Sequence, residues 1–108
     1  MIAALIRAVQ QTDPVLENRI VRRKSVETLG RLQAVQALAV IRICLADDDC
    51  YRVENAIWAI GEIGIPDPDI LAEIAQLLDK PGQTYRVIIH TALLSLWCKM
   101  YLIIHLPL

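Results

Sequence analysis

The stretch Tyr51-Arg-Val-Glu-Asn-Ala-Ile-Trp-Ala-Ile-Gly-Glu-Ile63 decides the fold. Val53, Ala56, Ile57, Ile60 and Ile63 recur at i, i+3, i+4 and i+7, the spacing of one buried helix face. The acidic turn Asp47-Asp-Asp49 comes just before, and its last member is placed to cap the helix at Tyr51. Thirty-one residues earlier, Lys24-Ser-Val-Glu-Thr-Leu-Gly-Arg-Leu32 carries the same pattern. Val26 stands for Ile57, Leu29 for Ile60, Gly30 for Gly61 and Leu32 for Ile63. Tyr51-Arg-Val53 returns as Tyr85-Arg-Val87, and Leu38, Ile41 and Leu45 return as Leu71, Ile74 and Leu78. A period of 31–34 residues predicts two-helix units, each with an apolar stripe that only a neighbouring unit covers. No stretch alternates with period two, so the fold class is all-α: an α-α superhelix of about three two-helix repeats in a single domain, residues 1–108.

Punctuation places the helices near 2–11, 14–32, 34–46, 51–63, 69–79 and 84–104. Asp13-Pro14 supplies an N-cap and a proline at the first helical position, and Gly64-Ile-Pro-Asp-Pro68 separates two helices. Asp69 adds negative charge near the next N-terminus, Lys80-Pro-Gly82 stops that helix, and Thr84 caps the last one. The composition agrees. Of 108 residues, 56% are hydrophobic with no Phe and five aromatics, so the surplus is Ala, Leu, Ile and Val, suited to closely packed helices. Gly30 and Gly61 fall where helices approach closely. Eleven Lys and Arg against twelve Asp and Glu give a net charge of -1, which removes any global argument for nucleic acid or an anionic membrane.

Cys44, Cys50 and Cys98 are an odd number without C-x-x-C spacing, and neither His90 nor His105 completes a zinc pattern. They read as small buried hydrophobes in a reducing compartment, the cytoplasm, with no metal site. Met1–Gln11 carries Arg7 within its apolar run and reads as a short amphipathic helix, not a signal peptide. The final apolar helix, about 84–108, is atypical: from Val87 to Leu108 the one formally charged side chain is Lys99. A membrane span is opposed by His90, Ser95, His105 and Pro107 and by the missing basic flank. The preferred reading is a core helix whose partner lies outside the chain, with homo-oligomerisation through 87–108 over a face of Leu94, Trp97, Tyr101 and Ile104 as one form of it.

The acidic turn followed by Glu54-Asn-Ala-Ile-Trp-Ala-Ile-Gly-Glu-Ile63 resembles the HEAT-like repeats of the cyanobacterial phycobilin lyases, in particular the E/F-type phycobilisome lyase subunits. Arg22-Arg-Lys-Ser-Val-Glu-Thr-Leu-Gly-Arg-Leu32 is similar to the preceding repeat of that family. The resemblance covers about residues 14–86. It implies an armadillo-like helical repeat protein that assists attachment of a linear tetrapyrrole to cysteines of a light-harvesting antenna protein. The implied partners are a phycobiliprotein subunit and a second lyase-type subunit. No cofactor is intrinsic, and a phycobilin is the implied ligand. After Leu94 the Gly-Glu-Ile-Gly rhythm gives way to Ser95–Leu108, and the family's lyase subunits are more than twice this length. A short stand-alone member, a fragment and a drifting reading frame are the readings of that departure.

Helical geometry places Glu54, Asn55, Trp58 and Glu62 away from the core stripe of the Tyr51 helix, on the side expected to line the concave surface of the array. The matching positions one repeat earlier are Arg23, Lys24, Glu27 and Arg31. Arg23 is then expected opposite Glu54 and Arg31 opposite Glu62, forming either an ion-pair ladder between repeats or a groove for a bilin. In such a groove Arg and Lys suit the propionates, a carboxylate suits the pyrrole N–H groups, and Trp58 stacks on the conjugated plane. Arg52 and Arg86 are repeat-equivalent, and Asp47–Asp49 is the expected partner for one of them. His90, read as the counterpart of Ala56, is expected within the packed stripe. No nucleophile elbow, phosphate loop or His/Asp pair is present in the sequence, so the catalytic residues stay unassigned. Cys50, near a helix N-terminus but beside three aspartates, is a weak candidate for a covalent adduct. The alternative function is a HEAT-repeat scaffold for protein–protein interaction without small-molecule chemistry.

Overall fold

Asp49 begins the central helix as its sequence requires: its side chain accepts a hydrogen bond from the Tyr51 N–H while its backbone stays extended. The helix ends at Gly64, whose φ of 72° is left-handed and suits a residue without Cβ. Asp67 caps the following helix in the same way, with Pro68 at its first position. A computed structural model describes residues 1–12, 16–79 and 85–105, and within these not the side chains of 16, 17, 79, 86, 87 and 100–105. The expected caps at Asp13-Pro14 and Thr84 and the stop at Lys80-Pro-Gly82 lie outside the described residues.

The described residues form six helices in order: α1 (Ile2–Gln10), α2 (Leu16–Arg31), α3 (Leu38–Ile43), α4 (Cys50–Ile63), α5 (Pro68–Gln76) and α6 (Arg86–His105). Among the described residues there is no strand. Single 3₁₀ turns precede and follow α3 and extend α5. The helix expected over 34–46 is therefore one continuous helical rod wound unevenly. Its N-terminus at Ala34 has no side-chain cap, and the chain reaches it through Gln33 at φ 49°. A 3₁₀ turn closes such an end with shorter-range bonds.

Successive helices pair, α1 with α2, α3 with α4 and α5 with α6, and the pairs stack so that α2, α4 and α6 lie side by side. The chain thus forms two layers, α2–α4–α6 and α1–α3–α5, in a slab 50 × 36 × 18 Å. Its thin dimension is about two helices deep. The core between the layers takes Val9 from α1, Val26 and Leu29 from α2, Ile41 from α3, Ile57 and Ile60 from α4, Ile70 and Ile74 from α5, and Ile89 and Leu96 from α6. Fully burying each such side chain is worth roughly 1.5–3 kcal/mol.

Two glycines set the spacing of the α2–α4–α6 layer. A Cβ on Gly30 would lie 2.7 Å from the Ala59 Cβ, 2.8 Å from its Cα and 3.0 Å from the Trp58 ring. One on Gly61 would lie 3.3 Å from the Ala92 Cα. The close approaches expected at both glycines are present. Polar side chains tie the same helices. The Asn55 amide donates to the Arg23 carbonyl (3.2 Å), the Ser95 hydroxyl to the Gly61 carbonyl (3.3 Å) and the Gln33 amide to the Glu62 carbonyl (3.2 Å).

His90 departs from expectation: it is exposed, while Ile89, Ala92 and Leu96 are buried. The register from α4 to α6 is 33 residues, matching Ala56, Ala59 and Ile63. The side of α6 away from α4 is uncovered, so His90, Leu94 (65% exposed) and Trp97 (69% exposed) face outward. Tyr101 and Ile104, expected on the same face, have side chains outside the described residues. No described helix is long and apolar enough to cross a membrane.

Candidate functional site

Among the described residues, depressions lie on either side of α4 on the outer surface of the α2–α4–α6 layer. The larger, about 250 Å³ between α2 and α4, is lined by Ile20, Arg23, Lys24, Glu27, Tyr51, Glu54 and Asn55. The smaller, about 50 Å³ between α4 and α6, is lined by Trp58, Gly61, Glu62, Ile88, Thr91, Ala92 and Ser95. The seven residues singled out by sequence thus divide. Arg23, Lys24, Glu54 and Asn55 share the first depression, Trp58 and Glu62 share the second, and Arg31 lines neither. Trp58 is half-buried, packs on the core and touches α2 at Gly30, so much of its surface is structural. Glu54 and Glu62 are exposed.

The ion pairs differ from the expected ladder. Arg23 does not pair with Glu54. It donates from Nε to Asp49 Oδ2 (2.8 Å) and from Nη2 to Oδ1 (3.0 Å), a bidentate pair. Arg31 does not pair with Glu62 but with Glu27 on its own helix (2.7 Å), and Lys24 reaches the same carboxylate (3.1 Å). The physical reason is reach. Asp49 precedes α4 at the mouth of the α2–α4 junction, whereas Glu54 lies a turn further along α4 and points to solvent. Hydrogen bonds to Asp49 raise the Arg23 pKa further above its ordinary value, against the opposing effect of burial. Burial pushes the Asp49 carboxyl up, but the Arg23 bonds outweigh it and hold the group below its ordinary range. The hydrogen bond from Lys24, helped by Arg31, holds Glu27 low against the smaller push of burial.

Sequence reasoning missed Tyr51. Its ring lies under the Arg23 guanidinium, 4.7 Å from the centroid, and is 59% exposed. The available signal was the recurrence of Tyr51 as Tyr85, which drew notice for the arginines that follow. Of those, Arg52 behaves as expected: it donates to Asp47 (2.8 Å) and also to the Val9 carbonyl, joining the end of α1 to the acidic turn. The Arg86 side chain is outside the described residues. Cys50 is the first residue of α4, half-buried against the core. Among the described residues no group of His, Cys, Asp and Glu could hold a metal ion.

Two relatives share this sequence. The chain is 70% identical over 90 residues to the uncharacterized phycocyanin operon protein Y of Pseudanabaena tenuis, covering 83% of the chain and 21% of that protein. It is 37% identical over 60 residues to the bilin biosynthesis protein CpeY of Synechococcus sp. WH8020, covering 56% of the chain and 14% of that protein. The chain is homologous to both. It spans about a fifth or less of the length of these relatives. No family model matches the chain.

Proposed function

We propose that the chain is a HEAT-like repeat segment of a phycobilin-lyase-type protein. Its α2–α4–α6 layer receives a bilin, a phycobiliprotein subunit or both, and assists attachment of the chromophore. The observation that carries this reading is the pair of relatives, one named for a phycocyanin operon and one for bilin biosynthesis. The stacked helical pairs support the superhelical repeat arrangement.

The layer offers what a linear tetrapyrrole requires. Lys24 stands on α2 for a propionate beside Arg23, which pairs with Asp49, while Glu54 and Glu62 on α4 suit pyrrole N–H groups and the exposed parts of Tyr51 and Trp58 suit the conjugated plane. At about 250 Å³ the α2–α4 depression is below the roughly 300–1,000 Å³ of sites that enclose a whole drug-sized ligand, so it holds part of a bilin. A second lyase-type subunit or an antenna subunit supplies the remaining surface. Absorbance titration with a bilin tests the reading. Saturable change is expected with the native chain, weakened by Glu54→Ala and Trp58→Ala. No change at any bilin concentration contradicts it.

A second reading, a protein–protein scaffold without pigment, is favoured by Leu94 and Trp97 on the uncovered face of α6. It predicts association with another copy or a protein partner that Leu94→Ser with Trp97→Ser abolishes, and no pigment on co-expression.

A further inference from the structure

We propose that the depression between α2 and α4 is a preassembled clamp for one ring and one propionate of the ligand, with Tyr51 as the stacking platform and Lys24 as the partner of the carboxylate. This rests on the bilin reading and deepens it.

Two tyrosines stand at neighbouring helix starts: Tyr51 is the second residue of α4, and Tyr85 directly precedes α6. Tyr85 is 4% exposed; burial raises its hydroxyl pKa, with Cys50, Glu54 and Asp49 adding to the shift. Tyr51, which the 33-residue register places one position off Tyr85, is 59% exposed. Beside the Tyr51 ring the α2–α4 junction is open in a depression of about 250 Å³. Packing therefore does not need the Tyr51 ring, yet the structure fixes it. Asp49 caps α4 through the Tyr51 N–H and holds Arg23 with two hydrogen bonds, and Arg23 covers one side of the ring. An aromatic side chain held on one side presents the other to a flat ligand with little further loss of freedom.

The same geometry assigns the charge partner. Arg23 is committed to Asp49 in a bidentate pair, so it orients the ring and is not the propionate contact. Lys24 lines the same depression, is largely exposed, and is held by a single surface contact to Glu27 that yields easily to a ligand carboxylate. Ile20 adds exposed aliphatic surface, and Glu54, exposed at the lining of the depression, is an acceptor for N–H groups.

Titration of the full chain with biliverdin and with biliverdin dimethyl ester tests the proposal. Tyr51→Phe keeps the stacking face and is expected to bind like the native chain. Tyr51→Leu is expected to weaken binding about tenfold, the size of one lost stacking contact. Lys24→Gln is expected to weaken the free acid roughly threefold, the size of one exposed charge contact, and to leave the ester unchanged. Native-like binding by both Tyr51→Leu and Lys24→Gln overturns the clamp and leaves the bilin reading standing. Failure of the native chain to bind either compound overturns both. Far-ultraviolet circular dichroism confirms that each variant is folded, and Lys24→Gln, at an exposed position, keeps the test decisive should Tyr51→Leu unfold.

Discussion

Gly30 shows how one residue sets the geometry of the site. Its missing side chain lets α2 approach α4 at Ala59 and brings the Trp58 ring against α2. A methyl group there meets backbone, which cannot turn aside as a flexible side chain can. Gly30→Ala is expected to destabilise by about 1–3 kcal/mol through overpacking, only partly offset by about 1 kcal/mol of helix propensity. Gly61→Ala meets Ala92 at 3.3 Å, a contact that gives by a few tenths of an ångström, and is expected to be near neutral. Thermal melts of the two variants check the ordering. Equal melting temperatures contradict the close approach at Gly30. The sequence pattern announced both glycines. Packing of Trp58 on a neighbouring helix was one of its two readings from sequence; that the contact falls at Gly30 was not legible, because helical spacing gives the direction of a side chain from its own axis and not the distance to the next helix.

At the scale of the element, Asp49 joins three tasks: it caps α4, pairs with Arg23 and so fixes Tyr51. Asp49→Ala is expected to cost about 1–2 kcal/mol. The folded carboxyl titrates below its ordinary value of 3.8, so its contribution is complete above that pH and is lost as the pH falls through the lower folded value. Melting temperatures of the native chain and the variant are therefore expected to differ near neutrality and to converge in strong acid. A constant difference down to the lowest pH that leaves the chain folded contradicts the assignment. The cap was legible because Asp precedes a helix in a recognisable turn. The pairing with Arg23 was not, because the repeat register pointed to Glu54. The register also misled at His90. An offset of 34, taken from the two tyrosines, overlooked the insertion-sized differences between turns, whereas burial follows an offset of 33.

For the whole molecule, the helices and their pairing were readable from periodicity, and the two-layer slab follows from covering each stripe with the next pair. The division of the candidate site into two depressions was not readable, since it depends on how far apart neighbouring helices stand at each point along their length. A bilin is proposed to meet this chain on the α2–α4–α6 layer. The most direct measurement is a two-dimensional amide and indole NMR titration of the 108-residue chain with biliverdin. Saturable shifts are predicted at Lys24, Tyr51, Glu54 and the Trp58 indole, with little change at Arg42 and Glu73, which pair across α3 and α5 on the opposite layer. Shifts centred on Arg42 and Glu73, or on Leu94 and Trp97, or none at all, would contradict it.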